Sequence, residues 1–168
     1  MSLSSSLRRI VLASLMLGFG TALSGCSFSP VYSGTMASQP LLNLAYAKPN
    51  SRAEQVIYQE LALRLGLSTS ETAPLASVTV SSAAADTMLS ATANPSKAVE
   101  VMLTATLTIA KRDGSATPAQ TFTRTATASY TRSGQVLADN AAAADASERA
   151  AKSAAESLRL AVLAALSR

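Results

Sequence analysis

Alternation with a period of two is clearest between Val99 and Ile109. Val99, Val101, Leu103, Ala105, Leu107 and Ile109 take one parity, and Glu100, Met102, Thr104, Thr106 and Thr108 take the other. This predicts a long strand with one buried face. The stretch from Gln120 to Thr131 alternates as well, with Thr121, Thr123, Thr125 and Thr127 set against Phe122, Arg124, Ala126, Ala128 and Tyr130. Its β-branched content suits a sheet position, although its apolar face is small and carries a charge. Between the two lies Lys111-Arg112-Asp113-Gly114-Ser115, whose Asp-Gly pair supplies the positive backbone dihedrals of a hairpin, while Pro118 asks for a loop longer than two residues. Upstream, Leu41 to Ala47 reads as a short strand with Leu42, Leu44 and Tyr46 on one face. Ser68 to Ala76 reads as a loop, and Ser77 to Ser81 as a weaker strand extendable through Ala85. From Asp86 to Ser96 the pattern fades, and Asn94-Pro95-Ser96 has turn chemistry.

Two segments follow the helical period instead. Ser51 and Glu54 form an S-x-x-E capping box after Pro49-Asn50, and Ala53, Ile57, Leu61 and Leu65 then recur on one face, widened by Tyr58. Arg52, Gln55, Gln59 and Glu60 occupy the other side, and Gly66 stands at the C-cap position. After a Ser133-Gly134 turn and a few extended residues at Val136–Asp139, an alanine-rich helix is predicted from about Ala141 to Ser167. Its stripe is Ala151, Ala155, Leu158, Val162 and Leu166, beside an i, i+4 ladder of Glu148, Lys152 and Glu156. Near its end Leu158, Leu160, Val162, Leu163 and Leu166 almost encircle the axis, which implies cover on all sides, from the sheet and the other helix or from a partner.

The predicted order is therefore β-α-β-β-β-α. Its compact solution is an α+β two-layer sandwich, with about four mostly antiparallel strands and two helices on one face. No internal repeat stands out.

The amino terminus departs from all of this. Arg8 and Arg9 precede the 14 uncharged residues Ile10–Leu23, a basic n-region and apolar h-region of an export signal, too short to span a bilayer comfortably. Ser24 and Gly25 then lead directly into Cys26, the single cysteine of the chain. Leu23-Ser24-Gly25-Cys26 resembles a lipobox. That resemblance implies cleavage before Cys26, diacylglycerol on its sulfur and a fatty acyl group on the new amino terminus. Each buried methylene contributes about 0.8 kcal/mol, so several chains hold a protein to a membrane where one alone binds marginally. The next residue is Ser27, and in enteric-type sorting the lack of an aspartate at that position sends a lipoprotein on to the outer membrane. The alternative is a secreted protein whose odd cysteine is free or pairs between chains. The chain thus divides into residues 1–25 as a removed signal, 26–40 as a lipidated linker and 41–168 as one domain.

Composition narrows the chemistry. Of 14 Lys plus Arg and 10 Asp plus Glu, removal of Arg8 and Arg9 leaves 12 against 10, and no basic run tracks phosphates, so nucleic acid is not an expected partner. Histidine is absent and the one thiol belongs to the anchor, which removes the usual proton shuttle, the commonest metal ligand and a cysteine nucleophile. No enzyme activity and no cofactor beyond the covalent lipid on Cys26 are expected. Large apolar side chains are few against many alanines and threonines, so the core is expected to be thin and to gain from a partner.

Cys26-Ser27-Phe28-Ser29-Pro30-Val31-Tyr32 resembles the C-G-F-x-P-L-Y start of mature LPS-assembly lipoproteins of the LptE family, with Ser27 for glycine and Val31 for leucine. Asp145-Ala146-Ser147-Glu148-Arg149-Ala150, running toward Leu158–Leu166, is similar to that family's D-A-x-E-R-A ending. The resemblance implies an outer-membrane lipoprotein on the periplasmic side that plugs the large β-barrel LPS-assembly protein (LptD-like), helps it fold and contacts lipopolysaccharide. Phosphates and carboxylates on that ligand call for a cationic site, for which Lys111, Arg112, Arg124 and Arg132 are the candidates able to cluster. The alternative in another class is a non-catalytic envelope scaffold or tethering lipoprotein with the same anchor and fold.

Overall fold

The protein is described by a computed structural model over residues 43–87 and 96–166, all within the compact unit Gly34–Arg168. The elements are β1 (Ala45–Tyr46), α1 (Arg52–Leu65), β2 (Leu75–Asp86), β3 (Lys97–Ala110), β4 (Gln120–Arg132) and α2 (Val136–Leu166). The order β-α-β-β-β-α and the α+β class agree with the sequence reading. The sheet runs β1-β2-β3-β4 and is mixed: β2, β3 and β4 are antiparallel neighbours, whereas β1 pairs parallel to β2. A helix connects β1 to β2, and a crossover of that kind returns the chain in the same direction.

β3 is the central long strand, and its alternation is realised residue by residue. Val99, Val101, Leu103, Ala105, Leu107 and Ile109 are buried, and their neighbours are not. The register sets Val78, Leu107 and Phe122 abreast, and likewise Val80, Ala105 and Arg124. The inner face is therefore continuous across three strands. α2 lies over β3 and β4, and α1 lies against α2 and the first part of β2.

The cap of α1 follows the sequence with one refinement. Ser51 Oγ accepts the Glu54 N–H at 3.2 Å, but the Glu54 carboxylate accepts the N–H of Asn50 at 2.7 Å rather than that of Ser51. Gly66 takes a positive φ of 85° and its N–H donates to Ala62 O at 3.1 Å, closing the last turn. Val56, outside the predicted stripe, is buried with Ile57, Tyr58, Leu61 and Leu65 because α2 covers that flank. Tyr58 OH accepts the Val78 N–H at 2.8 Å, Tyr46 OH donates to Gly66 O at 3.2 Å, and the two rings meet edge to face at 5.7 Å. Burial pushes both phenols above the ordinary tyrosine range, so they act as neutral hydrogen-bonding groups.

Three expectations need correction. β1 is confined to Ala45–Tyr46, with Leu44 bridging Leu67; Leu41 and Leu42 lie outside the described residues, as does most of the turn at Asn94-Pro95-Ser96. Leu75 and Ala76 belong to β2 and not to a loop, because β1 and β3 flank them on both sides. Val136–Asp139 is helical, not extended. The Asp139 carboxylate accepts from Ser133 N at 2.8 Å, Ser133 Oγ at 3.1 Å and Gly134 N at 2.9 Å, which satisfies amides ahead of the helix and starts α2 early.

Those bonds, the Ser133 amide foremost, hold the Asp139 carboxyl below its usual range. Glu148, bonded mainly to Lys152, and Glu156, bonded mainly to Arg159, are depressed in the same direction. A group with a depressed folded value contributes stability above its unfolded value and loses it as pH falls through the folded one. Lowering the pH from about 6 to about 3 is therefore expected to decrease the urea midpoint and fray the start of α2. Urea melts monitored by helical circular dichroism at the two pH values check this; an unchanged midpoint contradicts it.

Candidate functional site

Two surfaces remain after the core is accounted for. The first is the outer face of the sheet, which neither helix covers. Strand register places Ser77, Thr108 and Thr121 abreast, then Thr79, Thr106 and Thr123, then Ser81, Thr104 and Thr125. Neighbouring hydroxyls bond to one another, Thr104 to Thr125 and Thr106 to Thr123, each at 3.0 Å. Glu100 is the one charged residue at the outer-face positions of β2, β3 and β4. The result is a flat, neutral, hydroxyl-bearing surface. It can make many weak polar contacts with a hydrated partner.

The second surface is a groove of about 600 Å³ between α1 and α2, lined by Val56, Leu63, Leu67, Gln59, Glu148 and Lys152 among others. Leu63 and Leu67 are 78% and 65% exposed. Ion pairs cross the two helices, Arg52 to Glu148 at 3.4 Å and Arg64 to Glu156 at 4.0 Å, with Lys152 to Glu148 at 3.0 Å along α2. Half of the predicted ladder is thus present, while Glu156 bonds to Arg159 (Nε to Oε2, 2.9 Å) and not to Lys152. Leu160, part of the girdle expected to be enclosed, is 54% exposed, whereas Leu158, Val162 and Leu163 are buried by the sheet and α1. The exposed Leu63 of α1 was legible only as a position off the Ile57–Leu61–Leu65 stripe.

The four cationic candidates do not form a cluster. Lys111 and Arg112 follow the end of β3, and Gly114 in the same loop takes the expected positive φ of 75°. Arg132 pairs in register with Lys97 at the opposite end of that strand, roughly 40 Å away by strand rise. Arg132 makes a two-pronged bond to Asp86, 2.9 Å to each carboxylate oxygen, which neutralises it. Arg124 turns back to its own strand and donates to Thr123 O at 2.7 Å. Arg112 donates Nε–H to Ala73 O at 3.0 Å, fastening the hairpin loop to the segment before β2. Lys111 is exposed. Asp113 stays ionised close by, its carboxyl held low chiefly by bonds from Ser115. A long antiparallel hairpin sends its two ends apart, which is why proximity along the sequence did not become proximity in space.

Cys26 lies outside the described residues. Among the described residues no group of three or more His, Cys, Asp or Glu side chains gathers as a metal site, and no helix is long and apolar enough to cross a membrane. The buried carboxylate Glu54 is engaged as a helix cap.

No protein-family model and no curated protein matches the sequence. Solved structures do match. A protein of Caulobacter crescentus assigned as a lipoprotein shares 20% identity over 76% of this chain and 93% of its own, with a TM-score of 0.54. A minor lipoprotein from Acinetobacter baumannii shares 18% over 73% and 89%, with a TM-score of 0.50. The rare lipoprotein B from Shewanella oneidensis shares 16% over 74% and 94%, with a TM-score of 0.54. The fold is thus one that bacterial lipoproteins use. At these identities the likeness is one of fold.

Proposed function

We propose that this chain is an outer-membrane lipoprotein, anchored through Cys26 on the periplasmic side, that plugs a large β-barrel LPS-assembly protein, assists its assembly and helps deliver lipopolysaccharide to the outer leaflet. The observation that carries the reading is the coincidence of two independent features. A lipobox and a C-x-F-x-P-x-Y motif stand at one end of the chain, and the rest takes a fold shared with solved lipoproteins over most of their length. The job then rests on fit and not on covalent chemistry. A plug in a wet barrel lumen needs a face that is polar, neutral and rigid. The hydroxyl ranks of β2, β3 and β4 supply one, stiffened by cross-strand bonds between threonines.

The anchor is tested by metabolic labelling with a fatty acid. The wild-type chain takes up label and loses its leader, and Cys26→Ser does neither; an unlabelled wild-type product would remove the location and the job together. For the ligand, Lys111 and Arg112 are adjacent cations at the β3–β4 loop and neither is neutralised by an ion pair among the described residues, so Lys111→Ala with Arg112→Ala is expected to weaken lipopolysaccharide binding by about tenfold, or 1.4 kcal/mol. Complex formation with the barrel stays intact in that variant. Arg132→Ala is expected to loosen the far end of the hairpin through loss of its bond to Asp86 with little effect on ligand. Equal binding by the double variant and the wild type excludes the loop as the contact.

A further inference from the structure

The two edges of the sheet are treated differently. Along β2 the direction of each backbone group follows from its bonds. Pro74 O and Ala76 O accept from Ala45 N and Ala47 N, both at 2.9 Å, and Val78 N donates to Tyr58 OH at 2.8 Å. Even-numbered residues of β2 therefore point their N–H and C=O away from β3. β1 stops at Tyr46, so beyond Val78 the outward N–H and C=O groups of Val80, Ser82 and Ala84 meet no hydrogen-bonding partner among the described residues. The strand stays in unbroken register with β3 as far as Asp86, and Ser81–Asp86 is exposed on both faces. It has no lysine, proline or bulge, the devices that keep an edge from pairing. On β4 two of the corresponding carbonyls are occupied. Arg124 donates to Thr123 O at 2.7 Å, and Arg149 reaches from α2 to Ser129 O at 2.9 Å.

We propose that the open edge of β2 is a self-pairing surface, on which two copies of this chain join β2 to β2 in antiparallel fashion about a two-fold axis at Ser82. The geometry selects a second copy. Pairing centred on Ser82 sets Val80 opposite Ala84 of the partner subunit and Ser82 opposite Ser82 of the partner subunit. All of these residues have the parity that points outward, so each such pair exchanges both hydrogen bonds. The same operation keeps the helices of both copies on one side of a continuous sheet. The side chains brought together are small and uncharged, so no like charges meet. Asp86 falls at the far ends, already neutralised by Arg132. Each copy's β1 ends the pairing past Val78, which limits register slip. An edge of this length is a small contact, at the low end of specific interfaces, so association is weak and depends on concentration. The inference goes beyond the proposed function and holds whether or not the chain handles lipopolysaccharide.

The test uses the full chain purified in detergent and followed by analytical ultracentrifugation. Wild type is expected to shift from monomer to dimer with concentration. Ser82→Lys and Ser82→Glu each remain monomeric, because each places like charges opposite one another, and an equimolar mixture of the two recovers the dimer. Ser82 is solvent-exposed, so helical circular dichroism should match wild type in both variants. Independently of those variants, Ser82→Cys is expected to form an intermolecular disulfide, since a hydrogen-bonded antiparallel pair sets Cα atoms about 5.5 Å apart, within disulfide range. Thr127→Cys on the open face of β4 does not. A wild-type chain that stays monomeric up to millimolar concentration overturns the proposal. So does a Ser82→Lys dimer as strong as wild type, a mixture that stays monomeric, or a disulfide at position 82 no faster than at 127.

Discussion

Replacing Leu103 with alanine is expected to destabilise the domain by about 3–4 kcal/mol, in the upper part of the range for such truncations. Leu103 is fully buried at the middle of β3, the central long strand, and its register partners are Ser82 on β2 and Ala126 on β4. The helix above offers mostly methyl groups, from Ala150, Ala151, Ala154 and Ala155. How much a cavity costs depends on whether its walls can move in. Alanine and serine side chains are too short to fill the space, so closing it would require α2 or a strand to shift as a unit. Equilibrium urea unfolding checks this. A lower midpoint at unchanged slope is the expected result, and a loss under about 1 kcal/mol would mean that the layer collapses onto the gap.

The converse substitution is expected to be nearly as damaging. Ala150 is fully buried where α2 crosses the sheet, in a run with Ala146, Ala151, Ala154 and Ala155 that lets the helix backbone come close to β3 and β4. Ala150→Leu inserts a branched side chain where only a methyl fits, at a cost of about 3 kcal/mol if the helix must lift. It should also weaken the bond from Arg149 to Ser129 O, since that guanidinium spans the gap between α2 and the edge of β4. The predicted signature is a lower midpoint together with faster amide exchange along β4. Should Ala150→Leu match wild type, the helix–sheet spacing is looser than its alanine contacts indicate. Both variants follow from one property, a thin core built from close approach more than from large side chains.

Where a segment has one buried face, its pattern was legible without coordinates. β3 reads off directly because from Val99 to Ile109 every inward residue is aliphatic and every outward one is Thr, Met or Glu. α1 reads off because a capping box, a stripe and a C-cap glycine agree on its bounds. The features that escaped depend on contacts between distant parts of the chain. Val136–Asp139 has a β-branched residue and a nearby glycine, and only the three bonds to the Asp139 carboxylate make it helical. The outer half of β2 has almost no pattern and was legible only as an extension through Ala85; it is held by its register with β3 and, at Asp86, by Arg132. β1 is short because Leu67 and β2 offer it only a few partners. The cationic candidates illustrate the remaining gap. Charge type is visible in a sequence, yet whether Arg132 is free or held by Asp86, 46 residues away, is decided by strand register.

In the proposed function a lipid-anchored domain works by fitting against a large β-barrel in the outer membrane. The most direct measurement is affinity purification of the full chain, with Cys26 intact, from detergent-solubilised membranes, followed by quantitation of what comes with it. A β-barrel LPS-assembly protein at equimolar ratio, retained by the Lys111→Ala/Arg112→Ala variant, is the predicted result. Recovery of the chain with no stoichiometric barrel would contradict the account and leave a tethering lipoprotein in its place.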